Sequence, residues 1–427
     1  MKKNKFIVST LILLVGGFIT KILSLFIKII MTRIIKTDGI MLYTLTIPTY
    51  NLFVTLTTVG NPNVVSKIVS ERKYRNKNIL FSSFIISFTF SLLLLFILIF
   101  SSKKISLLLH NEDLYLPILF ISFSLPFISI SSSIRGYFFG KQNMFPHVIS
   151  NFIEQISRII IFIIFLPIIK NVENKVILII LTNTICEIIS IIVLLLFLPK
   201  KININELNLK INKDITKEIL SISIPTTFSR LIGTISTFLE PIILTNLLLH
   251  NGIDKKFIQY QYGLINGYII PLLLLPSFFS LAISQSIIPV ISKNYSLKNI
   301  NYIRKKIKEV NLLSFLIGLI YVLVLYLNPK YFLNLIYNTS EGYNYFYILG
   351  LPFILLYIQG PNISILQALN KTKEASFHTL VGIILKFLTL TILSFYNLHI
   401  YSLIISIIVN IIYVSVSNYL LINKTIN

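Results

Sequence analysis

Three basic residues stand where an apolar helix should carry none. Lys21, Lys28 and Arg33 fall inside, or at the end of, an apolar run from about residue 6 to residue 35. A helix that crosses a bilayer needs roughly 20 apolar residues, and this run supplies them. A charged side chain near the bilayer centre costs about 2.5–3.5 kcal/mol on insertion scales, so it is kept where it faces water, a ligand or an acidic partner. Lys21 and Lys28 are seven residues apart and share a helix face, with Gly17, Ser24 and Thr32 on or near the same stripe. The chemistry that suits such a stripe is attraction of an anion into a wet cavity. The competing reading is snorkelling of the long side chains toward the interface. Lys28 and Arg33 approach the helix end and are open to it, whereas Lys21 is too central, and the cost of burying charge favours the cavity.

Other titratable residues recur inside later apolar runs. Thr226, Arg230, Gly233, Thr237 and Glu240 lie within one broad helical face after Pro225. Arg230 is read either as a second anion contact or as half of an ion pair. Its partner is not Glu240, which lies about 15 Å further along the same helix by the rise per residue. Lys386 is central in its run and is a further candidate cation. Glu154 and Arg158 are four residues apart in the favourable acid-before-base order, which reads as a local ion pair rather than a ligand site. Glu187 stands as an isolated acid in an apolar run, suited to a coupling proton or to burial in its neutral form. Glu240 is the other candidate coupling acid. Lys67 closes a helix, where it snorkels. Arg135 borders a loop and reads as a topology signal or part of an entry gate.

Composition sets the class that must position these groups. Of the 427 residues 55% are hydrophobic and only 12% are charged, with apolar runs along the whole length. Only helices and closed barrels satisfy the backbone in lipid, and these runs are too long and too uniformly apolar for barrel strands. The reading is an all-α polytopic membrane protein of the cell membrane. The opening MKKNK imitates a secretory signal, but its apolar region is too long and no small-residue cleavage site follows. The net charge of +23 does not point to nucleic acid, because the basic residues sit mainly in short loops between spans. The single cysteine, Cys186, excludes an intramolecular disulfide, and the five histidines lack metal-ligand spacing. No phosphate-cradling loop or nucleophile elbow is present, so the sequence offers no catalytic residues, cofactor or metal.

Hydropathy divides the chain into about 12 transmembrane helices, at 6–35, 40–70, 79–101, 114–139, 145–169, 175–198, 218–249, 258–292, 309–328, 344–369, 375–396 and 400–422. Clusters such as Arg72, Lys73, Arg75 and Lys77, and Lys200, Lys201, Lys210, Lys213 and Lys217, fall on one side if both termini are cytoplasmic. The polar connection 200–217 separates two six-helix lobes, 1–199 and 218–427. Weak echoes link spans that are six apart. PNVVSK from Pro62 parallels PVISK from Pro289, each with an upstream proline, Pro48 or Pro276, to break the helix. GKQNMFPH from Gly140 parallels NKTKEASFH from Asn370. Two parallel repeats about an axis along the membrane normal are a known transporter plan.

The residues carry a family resemblance. Gly17, Lys21, Arg33, Asp38-Gly39, Tyr43, Pro48, Tyr50, Gly60, Pro62, Ser66-Lys67 and Glu71 form a basic first helix, an acidic-Gly turn and a Tyr/Pro second helix ending in Gly-x-Pro and Ser-Lys. A second block is RGYFFGKQNMFP, with Arg135 and Gly136 at its head, followed by Glu154-Gln155 and Arg158. YGLINGYIIPLLLLP from Tyr262, and Ile365-Leu366-Gln367 with Lys386, are weaker blocks. Together they resemble the multidrug/oligosaccharidyl-lipid/polysaccharide (MOP) flippase superfamily, and within it the sporulation and lipid II flippases of Gram-positive bacteria.

The resemblance implies transfer of an undecaprenyl-pyrophosphate-linked saccharide to the outer leaflet by alternating access of two lobes around a central cavity. A pyrophosphate needs fixed cations, and the candidates are Lys21, Lys28, Arg33, Arg230 and Lys386. Pro48, Gly60, Pro62, Lys67, Arg135, Gly136, Glu154 and Arg158 would be gate or structural motif positions. The implied partners are the lipid-linked saccharide and membrane lipids, and nothing in the sequence calls for more than a monomer. Two departures stand out. Close relatives often have fourteen spans, and the basic residues that lipid II flippases of other bacteria carry after the second-span proline are replaced by Asn51-Leu52-Phe53. The alternatives are an exporter of another lipid-linked polysaccharide or O-antigen type, and a cation-coupled multidrug antiporter. The antiporter would need intramembrane carboxylates, and the first helix has none.

Overall fold

In a computed structural model the structure describes residues 2–58, 62–71, 73–199 and 213–426, with backbone alone at 2–11, 14, 229 and 285. The described chain is all-α. Among the described residues nine helices are long and apolar enough to cross a membrane. The pair Lys255–Leu273 and Ser277–Ser296, bent by 53°, adds a tenth. The first helix, α1 (Lys2–Thr57), is two helices joined at Lys36, where φ is 55° and ψ is −167°. Its two halves correspond to the first two spans expected from hydropathy. The described helices are consistent with the twelve expected runs, although the second, 40–70, is covered by this helix only to Thr57.

By packing, the chain forms two compact units, Met1–Phe238 and Leu239–Asn427. The division falls inside α8, the helix Lys213–His250, and residues 200–212 of the expected inter-lobe connection lie outside the described residues.

The first unit holds α1, α2 (Pro62–Glu71), α3 (Asn76–Leu108), α4 (Tyr115–Ile121), α5 (Leu125–Gly140), α6 (Phe145–Phe165), α7 (Val172–Leu196) and the start of α8. Apolar attraction cannot join helices in lipid, so small and hydroxylated residues mark their contacts. Ser82, Ser83, Ser87 and Ser91 of α3, and Ser129, Ser131, Ser132 and Ser133 of α5, are all buried, and Ser91 and Ser129 meet at 3.2 Å. Gly136 and Gly140 let α5 lie on α2. A Cβ at Gly136 would stand 2.6 Å from Val65 Cβ and 2.9 Å from the Pro62 carbonyl oxygen. Pro62 and Gly136, taken from separate sequence blocks, are thus one close contact. Val65, Ile68, Ile134, Phe138 and Leu194 form the apolar core around it.

Pro48 does not break its helix, as the sequence reading expected; α1 runs through it to Thr57. A proline removes one backbone hydrogen bond, and membrane helices tolerate that loss when neighbours hold the flanking turns. Gly60 lies outside the described residues.

The second unit holds the rest of α8, then α9 (Lys255–Leu264), a π-helical turn at Ile265–Ile269, α10 (Ile270–Leu273), α11 (Ser277–Ser296), α12 (Ile300–Leu327), α13 (Pro329–Tyr337), α14 (Asn344–Ala368), α15 (Thr372–Phe395) and α16 (Tyr401–Ile426). Here the proline rule operates. Pro276 has no N–H for the Leu272 carbonyl, and the chain breaks between α10 and α11. The Tyr321 hydroxyl donates to that carbonyl at 2.8 Å, and the Tyr357 hydroxyl donates to Leu273 O. Gly318 seats the Tyr357 ring and Gly350 seats Tyr326, which draws α12 onto α14.

Candidate functional site

The first unit buries four charges together. Arg135 of α5 reaches Glu154 Oε2 of α6 at 3.3 Å and Glu187 Oε1 of α7 at 3.5 Å. Its Nη2 also donates to Ser190 Oγ at 2.9 Å. Arg158 meets the other oxygen of Glu154 at 3.0 Å, and Ser131 Oγ donates to Glu187. Side-chain exposure is 19% for Arg135, 21% for Arg158 and 11% for each glutamate, so solvent screens these pairs little. Two arginines balance two carboxylates. Tyr43 and Tyr50 of α1 lie within electrostatic reach of Arg158. The cluster thus ties three helices together beside the second half of α1.

The local pair Glu154–Arg158 has the geometry the sequence implies. Two other readings change. Glu187 is not isolated, because Arg135 faces it across the α5–α7 contact. Arg135 is not a loop-edge signal, since α5 continues to Gly140 and buries the guanidinium between α6 and α7. Sequence reasoning missed the supporting serines. Ser131 and Arg135 are four apart on α5, and Glu187 and Ser190 three apart on α7, so each pair shares a helix face. That spacing was the available signal.

The first-helix lysines have a different setting. Lys21 is exposed, and Lys28 is half-buried with its ammonium 5.4 Å from the centre of the Tyr43 ring. Among the described residues no carboxylate stands within ion-pair distance of either, and the unit's buried glutamates are engaged by Arg135 and Arg158. Gly17 has open space where a Cβ would stand, so the stripe Gly17–Lys21–Ser24 borders unfilled volume or lipid. The opposite side of the helix packs on α6, with Gly16 against Val148. Lys21 and Lys28 lie about 10 Å apart along the axis by the rise per residue. Arg33 is exposed one further turn along. Arg230 is exposed on α8 and donates from Nη1 to Thr58 Oγ1 at 3.1 Å, at the end of α1.

Lys386 differs from the other candidate cations. In the second unit its ammonium donates to Glu240, with side-chain exposures of 11% and 7%. Tyr262 lies within electrostatic reach of the same carboxylate. Lys386 and Glu240 are therefore one another's partners, from α15 and α8. Lys67 pairs with Glu71 at 4.0 Å on the exposed face of α2, where such a pair contributes little.

The sequence profile of a family described as polysaccharide biosynthesis protein matches residues 7–295. The chain is 32% identical over 402 residues to stage V sporulation protein B of Bacillus subtilis (strain 168), covering 90% of this chain and 77% of that protein. The chain belongs to the polysaccharide biosynthesis protein family. It is also 24% identical over 419 residues to the lipid II flippase MurJ of the same organism, covering 90% of this chain and 76% of that one. The fold matches an inward-facing multidrug resistance transporter of the MATE family, with a TM-score of 0.77, 14% identity and coverage of 95% and 94%. A eukaryotic MATE transporter matches with a TM-score of 0.68 and 12% identity over 99% and 98% of the two chains. Its long apolar helices make this family member a multi-pass membrane protein.

Proposed function

We propose that this protein is a MOP-superfamily flippase and moves a lipid-linked saccharide, the peptidoglycan precursor lipid II, from the inner to the outer leaflet by alternating access, with Lys21 and Lys28 drawing in its pyrophosphate. Family membership supports the coarser part, flipping of a lipid-linked saccharide. Similarity to proteins named as a stage V sporulation protein and as a lipid II flippase supports the finer part, including a role in spore cortex. The observation that carries the site is the partition of charge in the first unit. Arg135 and Arg158 are occupied by buried glutamates, whereas Lys21 and Lys28 have no carboxylate beside them among the described residues. Arg33 and Arg230 are the secondary contacts in this reading, and Lys386 is set aside because Glu240 holds it. The excess of lysine and arginine in alternate loops supports cytoplasmic termini in this reading.

The family's description as polysaccharide biosynthesis also favours a second reading, an exporter of another lipid-linked polysaccharide precursor. Complementation of cells depleted of their own lipid II flippase separates the two, read as the accessibility of lipid II in the outer leaflet. Rescue by the wild type and failure of Lys21→Ala/Lys28→Ala, at matched membrane levels, is the expected result. Equal rescue by both proteins removes the lysines from the site. No rescue by an inserted wild type moves the substrate to another lipid-linked saccharide.

A further inference from the structure

A groove of about 660 Å³ runs along the second unit between α12 and α16, with Ile358 of α14 in its wall. Its lining is graded. Arg304 and Lys308, one turn apart near the start of α12, supply two cations at one end. The amides of Asn311 and Asn423 follow, and beyond them lie Leu312 and Phe315. Tyr419 of α16 faces the same space, and it and Leu312 are 46% and 59% exposed.

The cationic end is held in place. Arg304 Nη2 donates to the Ile426 carbonyl at 3.0 Å, which ties the start of α12 to the end of α16. Glu309 is the acid of α12, and it is engaged by Lys306 at 2.6 Å, off the groove. Lys308 is exposed with no carboxylate at ion-pair distance among the described residues. Asn311 Oδ1 is buried without a hydrogen-bond partner, an acceptor awaiting an O–H or N–H. From Arg304 to Phe315 the helix rises about 16 Å, and half the hydrocarbon core of a bilayer is about 15 Å.

We infer that this groove holds an anionic phospholipid of the leaflet it borders. The phosphate lies on Arg304 and Lys308, a headgroup hydroxyl reaches Asn311, and one acyl chain lies along Leu312, Phe315 and Tyr419. Basic pockets between transmembrane helices are a recurrent means of holding anionic headgroups. A free phosphate would meet the cations and leave the apolar length uncovered. The site is independent of what the protein transports, and it would fasten α12 to α16 through a lipid.

Native mass spectrometry of the full chain in detergent tests this, with phosphatidylglycerol and phosphatidylcholine as separate probes. The wild type should retain phosphatidylglycerol preferentially. Arg304→Gln/Lys308→Gln should weaken that retention by roughly thirtyfold, the worth of two cations near a charged surface. Lys308→Gln alone, at an exposed side chain that folding does not require, should weaken it by about fivefold. Lys305→Gln/Lys306→Gln removes the same charge from the same helix outside the groove and should retain the lipid. Equal loss in both double variants, equal retention of the two lipids by the wild type, or displacement of phosphatidylglycerol by millimolar inorganic phosphate would overturn the inference.

Discussion

Replacing Arg135 with glutamine removes the cation that bridges α6 and α7, and its cost follows from the cluster's geometry. Arg135 stands 3.3 Å from Glu154 and 3.5 Å from Glu187. At an effective dielectric near 20 each attraction is about 5 kcal/mol before desolvation is subtracted. Exposures of 19% and 11% leave little solvent to screen them. Desolvation offsets most of that gain while the cluster is intact, but removing one partner strands a buried charge. Glu154 would keep Arg158 at 3.0 Å, so the stranded group is Glu187, left with the Ser131 hydroxyl. The expected loss for Arg135→Gln is about 3–5 kcal/mol. Adding Glu187→Gln removes the stranded charge, and the double variant should recover about half of that, for a coupling energy near 2 kcal/mol. Reversible denaturant unfolding of the purified chain in mixed micelles, arranged as a double-mutant cycle, gives both numbers. An Arg135→Gln variant within about 0.5 kcal/mol of wild type, with no coupling to Glu187, would refute the reasoning, since an arginine at a wet gate would behave that way.

Two further predictions use the same unfolding measurement. Lys386→Met should cost about 3–5 kcal/mol by stranding Glu240, and adding Glu240→Leu should restore most of it, whereas equal losses in the single and double variants would deny the pair. Gly136→Ala should cost about 1–3 kcal/mol because its Cβ meets the backbone of Pro62, while Gly17→Ala, in open space, should be neutral or slightly stabilising; the reverse order would mean that α2 and α5 are not in close contact.

How much of this was legible in the sequence depends on the distance over which each feature is encoded. The spans are written in local hydropathy, and the described helices follow the runs from residue 76 to residue 426, except that α3 continues beyond its run to Leu108 and α12 begins before its run, at Ile300. The pair Glu154–Arg158 is written in the i, i+4 spacing of one helix. The pair Arg135–Glu187 joins residues fifty-two apart on helices whose mutual register no single-helix period carries, so Glu187 reads as isolated from sequence. Lys386 and Glu240 are further apart still, and charge composition offers no hint that they meet. Pro48 shows the opposite error. A local rule taken alone predicts a break, and packing keeps the helix whole.

The pairing of the acids bears on how transport could be driven. Within the described helices the three deeply placed glutamates, Glu154, Glu187 and Glu240, each have a cation of the chain itself at ion-pair distance. A proton or metal cation arriving at Glu187 would have to displace Arg135, and one arriving at Glu240 would have to displace Lys386. A carboxylate that must first release a buried ammonium or guanidinium binds a transported cation weakly, because the freed charge is left desolvated. That argues against direct cation exchange at these acids, as a multidrug antiporter would require, and toward a cycle in which they hold the fold. The cations without carboxylates are then the informative ones. Lys21 and Lys28 lie on one stripe of the first helix, and an anionic substrate would supply there the counter-charge that the described residues do not.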